Sequence, residues 1–231
     1  MQSSKKLIIG YWDIRGLAQP IRYLLEYLKV DYEDKKYPLG EAPDFSKEAW
    51  FSVKQTLGFD LPNLPYLIDE ETGVKITESH AIYRYICNKH NPDLLGKTLQ
   101  EKANVDMFMS YVQDIRNATY VHSYETGDLA ALSKIGFEKF EPIAKYLAKV
   151  DGKFLPGGDQ VSIADFLLFE QIDMFDYFTS LEEKTSLTGL YPVLGQYYKK
   201  MANLEGLKEY LESDRCLKVL YNGKRAKLNK H

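Results

Sequence analysis

The stretch LIIGYWDIRGLAQPIRYLLE, residues 7–26, decides how the first part of the chain folds. It opens with an apolar run at residues 7–9, of the length and side-chain branching that suit a buried strand. After a turn bounded by Gly10 and Gly16, apolar residues recur three and four apart, which predicts a helix with Pro20 in its first turn. Ligands bind at the carboxyl ends of strands in open α/β sheets, so this turn is a candidate site.

Two aromatic residues with polar groups, Tyr11 and Trp12, lie in this turn. The residues alone leave two interpretations open. Both side chains could pack under the following helix and form local hydrogen bonds, or the phenol and the indole could face a ligand.

The pattern of the first ninety residues predicts a small four-stranded α/β unit of the order β-α-β-(α)-β-β-α. The further predicted elements are strands at residues 32–37, 66–68 and 74–76, a short helix at 50–54 capped by Asp44 or Ser46, and a helix that opens at 77–79.

Beyond Asn91 and Pro92 no strand pattern remains, and helical spacing predominates to the end of the chain. Helices are predicted at residues 98–124, 133–149, 162–178, 192–202 and 204–213. This change predicts two domains, an α/β domain at residues 1–90 and an all-α domain at residues 97–231. Within the second, Ser162 and Asp165 precede an apolar run and predict a structural capping box.

Composition favours a soluble globular protein: 231 residues, of which 45% are apolar and 27% charged, with a net charge of −3. This balance gives no reason to expect nucleic acid or an anionic membrane as a partner, and the basic C-terminal residues are interpreted as a solvated tail. Residues 1–6 do not resemble a signal peptide, and no apolar run is long enough to span a membrane. Because Cys87 and Cys216 lie far apart, free thiols and a cytoplasmic location are expected.

Several chemistries lack their motif in this sequence. Neither nucleotide-binding glycine pattern is present, no G-x-S-x-G elbow occurs, and the four histidines show no metal-ligand spacing, so no metal site is expected. Aromatic and polar residues on the loops of the α/β unit remain as candidates: Tyr11, Trp12, Trp50, Lys54, Asn63 and Ser79.

The order of four motifs resembles the N-terminal half of a mu-class cytosolic glutathione transferase. These motifs are YWDIRGLAQPIRYLLEY, GEAPDFSKEAW, LPNLPYLID and KITESHAIYRYI, and VSIADFLLFE extends the resemblance into the second half. The insertion-like loop at residues 39–45 separates this class from its relatives. The resemblance implies an N-terminal thioredoxin-like domain that binds glutathione as co-substrate, followed by a C-terminal helical-bundle domain.

By this resemblance Tyr11 is the catalytic residue, whose O–H donates a hydrogen bond to the glutathione sulfur and favours the thiolate. A thiol with a pKa near 8.5 becomes nucleophilic at neutral pH if that pKa falls by about two units, or roughly 2.7 kcal/mol. One charge-assisted hydrogen bond and the dipole of the helix predicted from Leu17 onward can supply this.

The resemblance also assigns the rest of the glutathione site. Leu64 would present its backbone to the cysteinyl amide beside a cis-Pro65, and Ser79 would hold the γ-glutamyl carboxylate. Glu78 stands where the family usually has glutamine, and Lys47 where it often has arginine. The remaining predicted contacts are Trp12, Leu17, Trp50, Lys54, Asn63, and Asp114 from the partner subunit of a homodimer.

The electrophile would bind between the domains. By resemblance its pocket is lined by Ile14, Leu17, Gln113, Tyr120, Tyr124 and Tyr221, and the C-terminal tail near Tyr221 closes over it. Arg84 and Asp106 match charges at the dimer interface, whereas Leu61 replaces an aromatic residue that locks it.

The function predicted first is conjugation of the glutathione thiolate to small hydrophobic electrophiles, a detoxification activity. Two alternatives share the fold: a glutathione-dependent isomerase of prostaglandin type, and a non-catalytic, ligandin-like binding protein. Tyr11 favours catalysis, because a binding protein does not need a phenol beside the sulfur.

Overall fold

The computed structural model describes residues 6–182, 185–218 and 221–230; the predictions for residues 1–5 lie outside this part. A four-stranded sheet has the order β2-β1-β3-β4, with β1 parallel to β2 and the other pairs antiparallel. Its strands are β1 (Leu7–Trp12), β2 (Tyr32–Tyr37), β3 (Tyr66–Asp69) and β4 (Val74–Thr77). The predicted strands and the β3–β4 hairpin are confirmed.

Three helices accompany the sheet: α1 (Gln19–Tyr27), α2 (Glu48–Phe51) and α3 (Ser79–His90). Helix α1 begins two residues later than predicted, with Pro20 in its first turn, where a missing N–H costs little. At α2 the Ser46 hydroxyl accepts a hydrogen bond from the Glu48 N–H at 3.2 Å, so the serine and not Asp44 supports this turn.

Helices make up nearly all of the regular structure in the described residues after α3. They are α4 (Leu99–Asn117), α5 (Leu129–Lys149), α6 (Ile163–Glu182), α7 (Leu187–Leu190), α8 (Pro192–Ala202) and α9 (Leu207–Glu212), with 3₁₀ turns at Pro92–Leu95 and Lys227–Lys230. The combination of a thioredoxin-like α/β unit and a helical unit confirms the predicted fold class. One apolar core joins them, because side chains of α1 and α3 pack with those of α4 and α6.

The helix predicted at residues 98–124 is wrong in its second part. Helix α4 ends at Asn117, and a π-helical turn at Val121–Thr126 follows it. The Thr119 hydroxyl donates to the Arg116 carbonyl at 2.7 Å, and such a local bond competes with the helical backbone pattern. The next helix was predicted to start at residue 133 but begins at Leu129, after the Asp128 cap.

The predicted capping box at α6 forms only in part. The Asp165 carboxylate accepts from the backbone N–H of Ser162 at 2.6 Å, but the Ser162 hydroxyl donates to this carboxylate as well. The same carboxylate accepts from the Leu155 N–H at 2.7 Å and from the Tyr197 hydroxyl. Asp165 therefore anchors a loop and α8 as well as its own helix. No helix among the described residues is long and apolar enough to cross a membrane.

Candidate functional site

Tyr11 lies near the carboxyl end of β1, buried beneath the turn that leads to α1. Its hydroxyl oxygen accepts a hydrogen bond from the backbone N–H of Leu17 at 3.1 Å. The phenolic proton has no acceptor in the part of the chain that the structure describes. The phenol is thus polarised by one donor and keeps its own proton to donate.

Gly16 makes this close approach possible. It has a φ of +45°, and a Cβ built there would lie 2.6 Å from Cε1 and 2.7 Å from the hydroxyl oxygen of Tyr11. Only a residue without a side chain lets the backbone pass so near the phenol at this φ. The glycine therefore serves the site, not only the turn.

Arg15, in the same turn, anchors the turn to α6. Its Nε and Nη2 donate to the two carboxylate oxygens of Glu170 at 3.1 and 2.5 Å, and Nη2 lies 2.7 Å from Asp173. The Tyr23 hydroxyl also donates to Glu170, at 3.0 Å. Burial lowers the pKa of Arg15, but the charges of Glu170, Tyr23 and Asp173 outweigh it and raise the pKa well above the ordinary value. Arg15 consequently stays positively charged over the whole physiological pH range.

A second buried arginine, Arg22 on α1, supports the same turn. It donates to the Ile14 carbonyl at 3.0 Å and forms a two-point contact with Asp34 on β2 at 3.0 and 3.2 Å. Sequence reasoning missed both arginines as site residues. The sequence did contain a signal for a buried ion pair: the charged residues Arg15, in the turn, and Glu170, in the run FLLFEQIDMF, stand among apolar residues. Charged residues in such positions are buried only when they are paired.

The segment before β3 offers an unpaired backbone edge. The Leu64–Pro65 peptide is cis, as predicted, and no backbone hydrogen bond joins Leu64 to another described residue. Beside it, the Asn63 side-chain amide donates to the Glu78 carboxylate at 3.1 Å. A free N–H and C=O next to a polar pair suit an extended peptide.

The first turn of α3 faces this edge of the chain. Glu78 precedes it with a φ of +68°, and no side chain caps its N–H groups, so Ser79 and the following N–H groups form an anion-binding helix terminus. Trp50 is buried, stacks on Tyr66 with ring centroids 5.9 Å apart, and has no hydrogen bond from its indole N–H to another described residue. Lys47, directly before α2, is exposed, and Lys54, three residues after its end, is half-buried.

The other side of the Tyr11 turn faces the helical unit. Gln113 and Arg116 on α4 line a narrow cavity with Leu17 and Gly16. The rings of Tyr120 and Tyr124 stack at 5.0 Å, and the Tyr124 hydroxyl accepts from the Gly223 N–H at 2.8 Å.

The C-terminal segment also touches the loop after β2. Lys224 pairs with Glu41, and Leu39 lies against Gly223. Residues 221–226 are therefore joined to both units, next to the predicted electrophile pocket.

Tyr221 has contacts other than those predicted for a pocket residue. Its side chain is buried, its ring lies 4.2 Å from the Arg15 guanidinium, and its hydroxyl donates to Asp173 at 2.7 Å. Its carbonyl accepts from the Gly16 N–H at 3.3 Å. Tyr221 thus fixes the tail to the Tyr11 turn, and Gly223 and Arg225 contact Tyr124 instead.

The residues assigned to the partner contact lie on the surface of the single chain. Asp114 on α4 is exposed, and Leu61 is 77% exposed. Arg84 and Asp106 form an ion pair with each other at 2.5 Å. The described residues contain no group of three or more His, Cys, Asp or Glu side chains arranged to hold a metal ion.

Comparison with known proteins yields matches over nearly the whole chain. The family models for the N-terminal and C-terminal domains of glutathione S-transferase match residues 8–88 and 113–214. The chain is 38% identical to glutathione S-transferase Mu 5 of Rattus norvegicus over 230 residues, covering 98% of this chain and 97% of that protein. It is 37% identical to glutathione S-transferase Mu 3 of Homo sapiens, covering 98% and 96%.

Solved structures also match this chain over nearly its whole length. The pi-class glutathione S-transferase of Onchocerca volvulus superposes with a TM-score of 0.79 at 28% identity, covering 96% of this chain and 100% of that one. Rat hPGDS in complex with a quinoline gives a TM-score of 0.70 at 26% identity, covering 93% and 100%.

Proposed function

We propose that this chain, which belongs to the mu class of the glutathione S-transferase family, conjugates the thiolate of glutathione to small hydrophobic electrophiles and thereby detoxifies them. The observation that carries the proposal is the Tyr11 phenol, which accepts from the Leu17 N–H and retains a free proton. It stands at the end of a thioredoxin-like strand, beside an unpaired peptide edge.

In the proposed mechanism Tyr11 donates its hydrogen bond to the sulfur of glutathione. A hydrogen bond to the charged form lowers the pKa of the thiol, so more thiolate is present at neutral pH. The hydrogen bond from the Leu17 N–H strengthens the one that the phenol donates, because a hydroxyl whose oxygen accepts one hydrogen bond is a stronger donor for the next. The thiol proton leaves to solvent, and the thiolate sulfur attacks the electrophilic carbon to form a thioether. In a substitution the leaving group departs with the bonding electrons; in an addition the π electrons move to the neighbouring atom, which then takes a proton from solvent.

The remaining predicted residues are each proposed to bind a different part of glutathione. The unpaired backbone of Leu64 suits the cysteinyl amide, and the uncapped first turn of α3 with Ser79 suits the γ-glutamyl carboxylate. Trp50, with Lys47 and Lys54, is proposed to hold the glycine carboxylate.

The Asn63 amide donates to the Glu78 carboxylate. We propose that this carboxylate contacts the γ-glutamyl ammonium group and that Asn63 is a further polar contact of the glutathione pocket. The carboxylate of Glu78, which replaces the usual glutamine, favours the charged ammonium form.

We infer that the electrophile binds between Ile14, Leu17, Gln113, Tyr120 and Tyr124. Conjugation is favoured over the isomerase and ligandin-like alternatives, since the relatives with the highest identity quoted above are Mu transferases. We further propose a cytoplasmic homodimer in which Asp114 reaches the ammonium group of glutathione in the partner's site, without nucleic acid or membrane partners.

The Tyr11→Phe variant tests the proposed function. With 1-chloro-2,4-dinitrobenzene and glutathione, kcat should fall about a hundredfold, as on removal of one preorganised donor. The apparent thiol pKa read from the pH profile should rise by about two units. The dissociation constant of glutathione should change little, because the tripeptide contacts remain. Parental kcat in this variant, or no turnover by the parent, would refute the proposal.

A further inference from the structure

The C-terminal segment carries a cation that the proposed transferase reaction does not use. Arg225 lies with its guanidinium carbon 4.8 Å from the centre of the Tyr124 ring, and its Nη2 donates to the Tyr120 hydroxyl at 2.8 Å. Stacking and this hydrogen bond hold the fork in one orientation. Only one of its five N–H donors has a hydrogen-bond partner among the described residues.

Arg225 differs from two other cations of this segment, Lys224 and Arg215, in lacking a carboxylate partner. Lys224 pairs with Glu41, and Arg215 forms a two-point contact with Glu26. For Arg225 no ion pair occurs with any residue in the ranges described. An exposed guanidinium that is oriented but not neutralised is prepared to bind an anion.

A second arginine approaches the same region from the helical unit. Arg116 lines the cavity with Leu17 and Gln113, and it too lacks an ion pair within the described ranges. Burial raises the pKa of Tyr124, whereas the hydrogen bond from the Gly223 N–H and the charges of Arg116 and Arg225 oppose this rise. Arg116 also stands four positions before Tyr120, whose hydroxyl accepts from Arg225, so both cations lie near the stacked rings of Tyr120 and Tyr124.

We propose that Arg116 and Arg225 form an anion subsite in the electrophile pocket, so that this enzyme prefers hydrophobic electrophiles that bear a carboxylate. The inference rests on the proposed transferase function and names a substrate class for it. A carboxylate on the electrophile would accept hydrogen bonds from the oriented fork of Arg225, while the apolar body of the electrophile lies toward Ile14 and Leu17 and faces the sulfur.

The experiment compares two electrophiles that differ only in charge, 4-chloro-3,5-dinitrobenzoate and 4-chloro-3,5-dinitrobenzamide. In both, the sulfur–carbon bond forms, the carbon–chlorine bond breaks, chloride leaves with the bonding electrons, and the thiol proton goes to water. Each kcat/KM is divided by the uncatalysed rate constant with glutathione. The ratio of benzoate to benzamide then measures the preference for the carboxylate.

The expected result is a ratio well above one for the parent chain, which decreases as salt is added. The ratio should fall about tenfold in Arg225→Gln and in Arg116→Gln, the usual effect of losing a hydrogen bond to a charged group. Arg225→Lys keeps the charge but loses the fork, so its ratio should lie between that of the parent and that of Arg225→Gln. The matched control Lys227→Gln removes the same charge from the same tail and should leave the ratio unchanged.

The two possible failures are distinguishable. If the parent turns over the benzamide and the ratio is near one, or if the ratio is the same in both arginine variants as in the parent, the anion subsite is refuted and the transferase function stands. If the parent turns over neither electrophile, the transferase function itself is refuted. A structural effect of either variant lowers both rates equally and leaves the ratio unchanged, which also counts against the subsite.

Discussion

At the scale of single residues, the site depends on how close the backbone at Gly16 comes to the Tyr11 phenol. The hydroxyl of Tyr11 can accept from the Leu17 N–H only if the turn passes over the ring without a side chain. Catalytic geometry tolerates little displacement, since about 1 Å can change a rate a hundredfold. The proposed role of the phenol therefore depends on a glycine at position 16.

The Gly16→Ala variant should distinguish the role of Gly16 in positioning the Tyr11 phenol from the ordinary strain of a turn. The added Cβ would collide with the Tyr11 ring, so kcat should fall by about tenfold or more. The positive φ alone should cost about 1 kcal/mol of unfolding free energy. Gly152→Ala is the matched control, because its φ is +63° and no atom lies within 4 Å of the new Cβ. The control should lose similar stability but no activity; parental kcat in Gly16→Ala would contradict the role.

At the scale of elements, local pattern predicted strands, hairpin and most helices, because each is encoded by nearby residues. The residues proposed for the glutathione site were identified from the order of the motifs, which the sequence also carries. The partners of Arg15 were not predictable: Glu170 is 155 positions away, and no local pattern links the two. The end of α4 was missed for a related reason, since a single hydroxyl, that of Thr119, competes with an otherwise helical sequence.

The carboxylate of Asp69 is the most highly bonded of the groups that join the β3–β4 hairpin to α3, alongside Glu71 and Thr72. It accepts from the Tyr85 hydroxyl at 2.5 Å, from Lys89 at 2.6 Å and from the backbone N–H of Glu71 at 3.0 Å. Burial raises the pKa of Asp69, but these hydrogen bonds outweigh it and hold the pKa well below the ordinary value. A lowered pKa gives stability that is present above the unfolded pKa, about 3.9, and lost as the pH falls toward the folded one.

The Asp69→Asn variant should therefore lose about 2 kcal/mol of unfolding free energy at pH 7, the scale of hydrogen bonds to a charged group. The difference from the parent should be smaller at pH 3, where the parent has lost part of this contribution. Urea denaturation at the two pH values measures it. Glu71→Gln, which alters an exposed partner of the same Lys89, is the control and should change stability little. A difference that is equal at both pH values would refute this linkage.

At the scale of the whole molecule, the two structural units are joined by buried charge as well as by apolar packing. Arg15 belongs to the turn that holds the site, whereas Glu170 and Asp173 belong to α6 of the helical unit. Tyr221 brings the tail to the same cluster through Asp173. The Tyr11 turn, helix α6 and the C-terminal segment are therefore held in position relative to one another by a single set of contacts.

The proposed homodimer extends this dependence to a second chain, and it can be tested by mixing two defective variants. Tyr11→Phe should lower kcat about a hundredfold. Asp114→Ala should lower kcat/KM for glutathione about tenfold, because the ammonium group loses a charged partner. Asp114 is exposed on α4, so its removal should leave the fold intact.

Unfolding and refolding an equal mixture would give half heterodimers. If Asp114 acts across the interface, one site of each heterodimer combines an intact Tyr11 with the partner's intact Asp114. With glutathione well below its KM, the mixture should then recover about a quarter of parental activity, since half of the dimers carry one good site of two. If Asp114 acts within its own chain, every Tyr11 in the heterodimer meets Ala at position 114, and the mixture cannot exceed the mean of the two variants. That second outcome would refute the shared site, because a chain that supplies its own acidic contact needs no neighbour to bind glutathione.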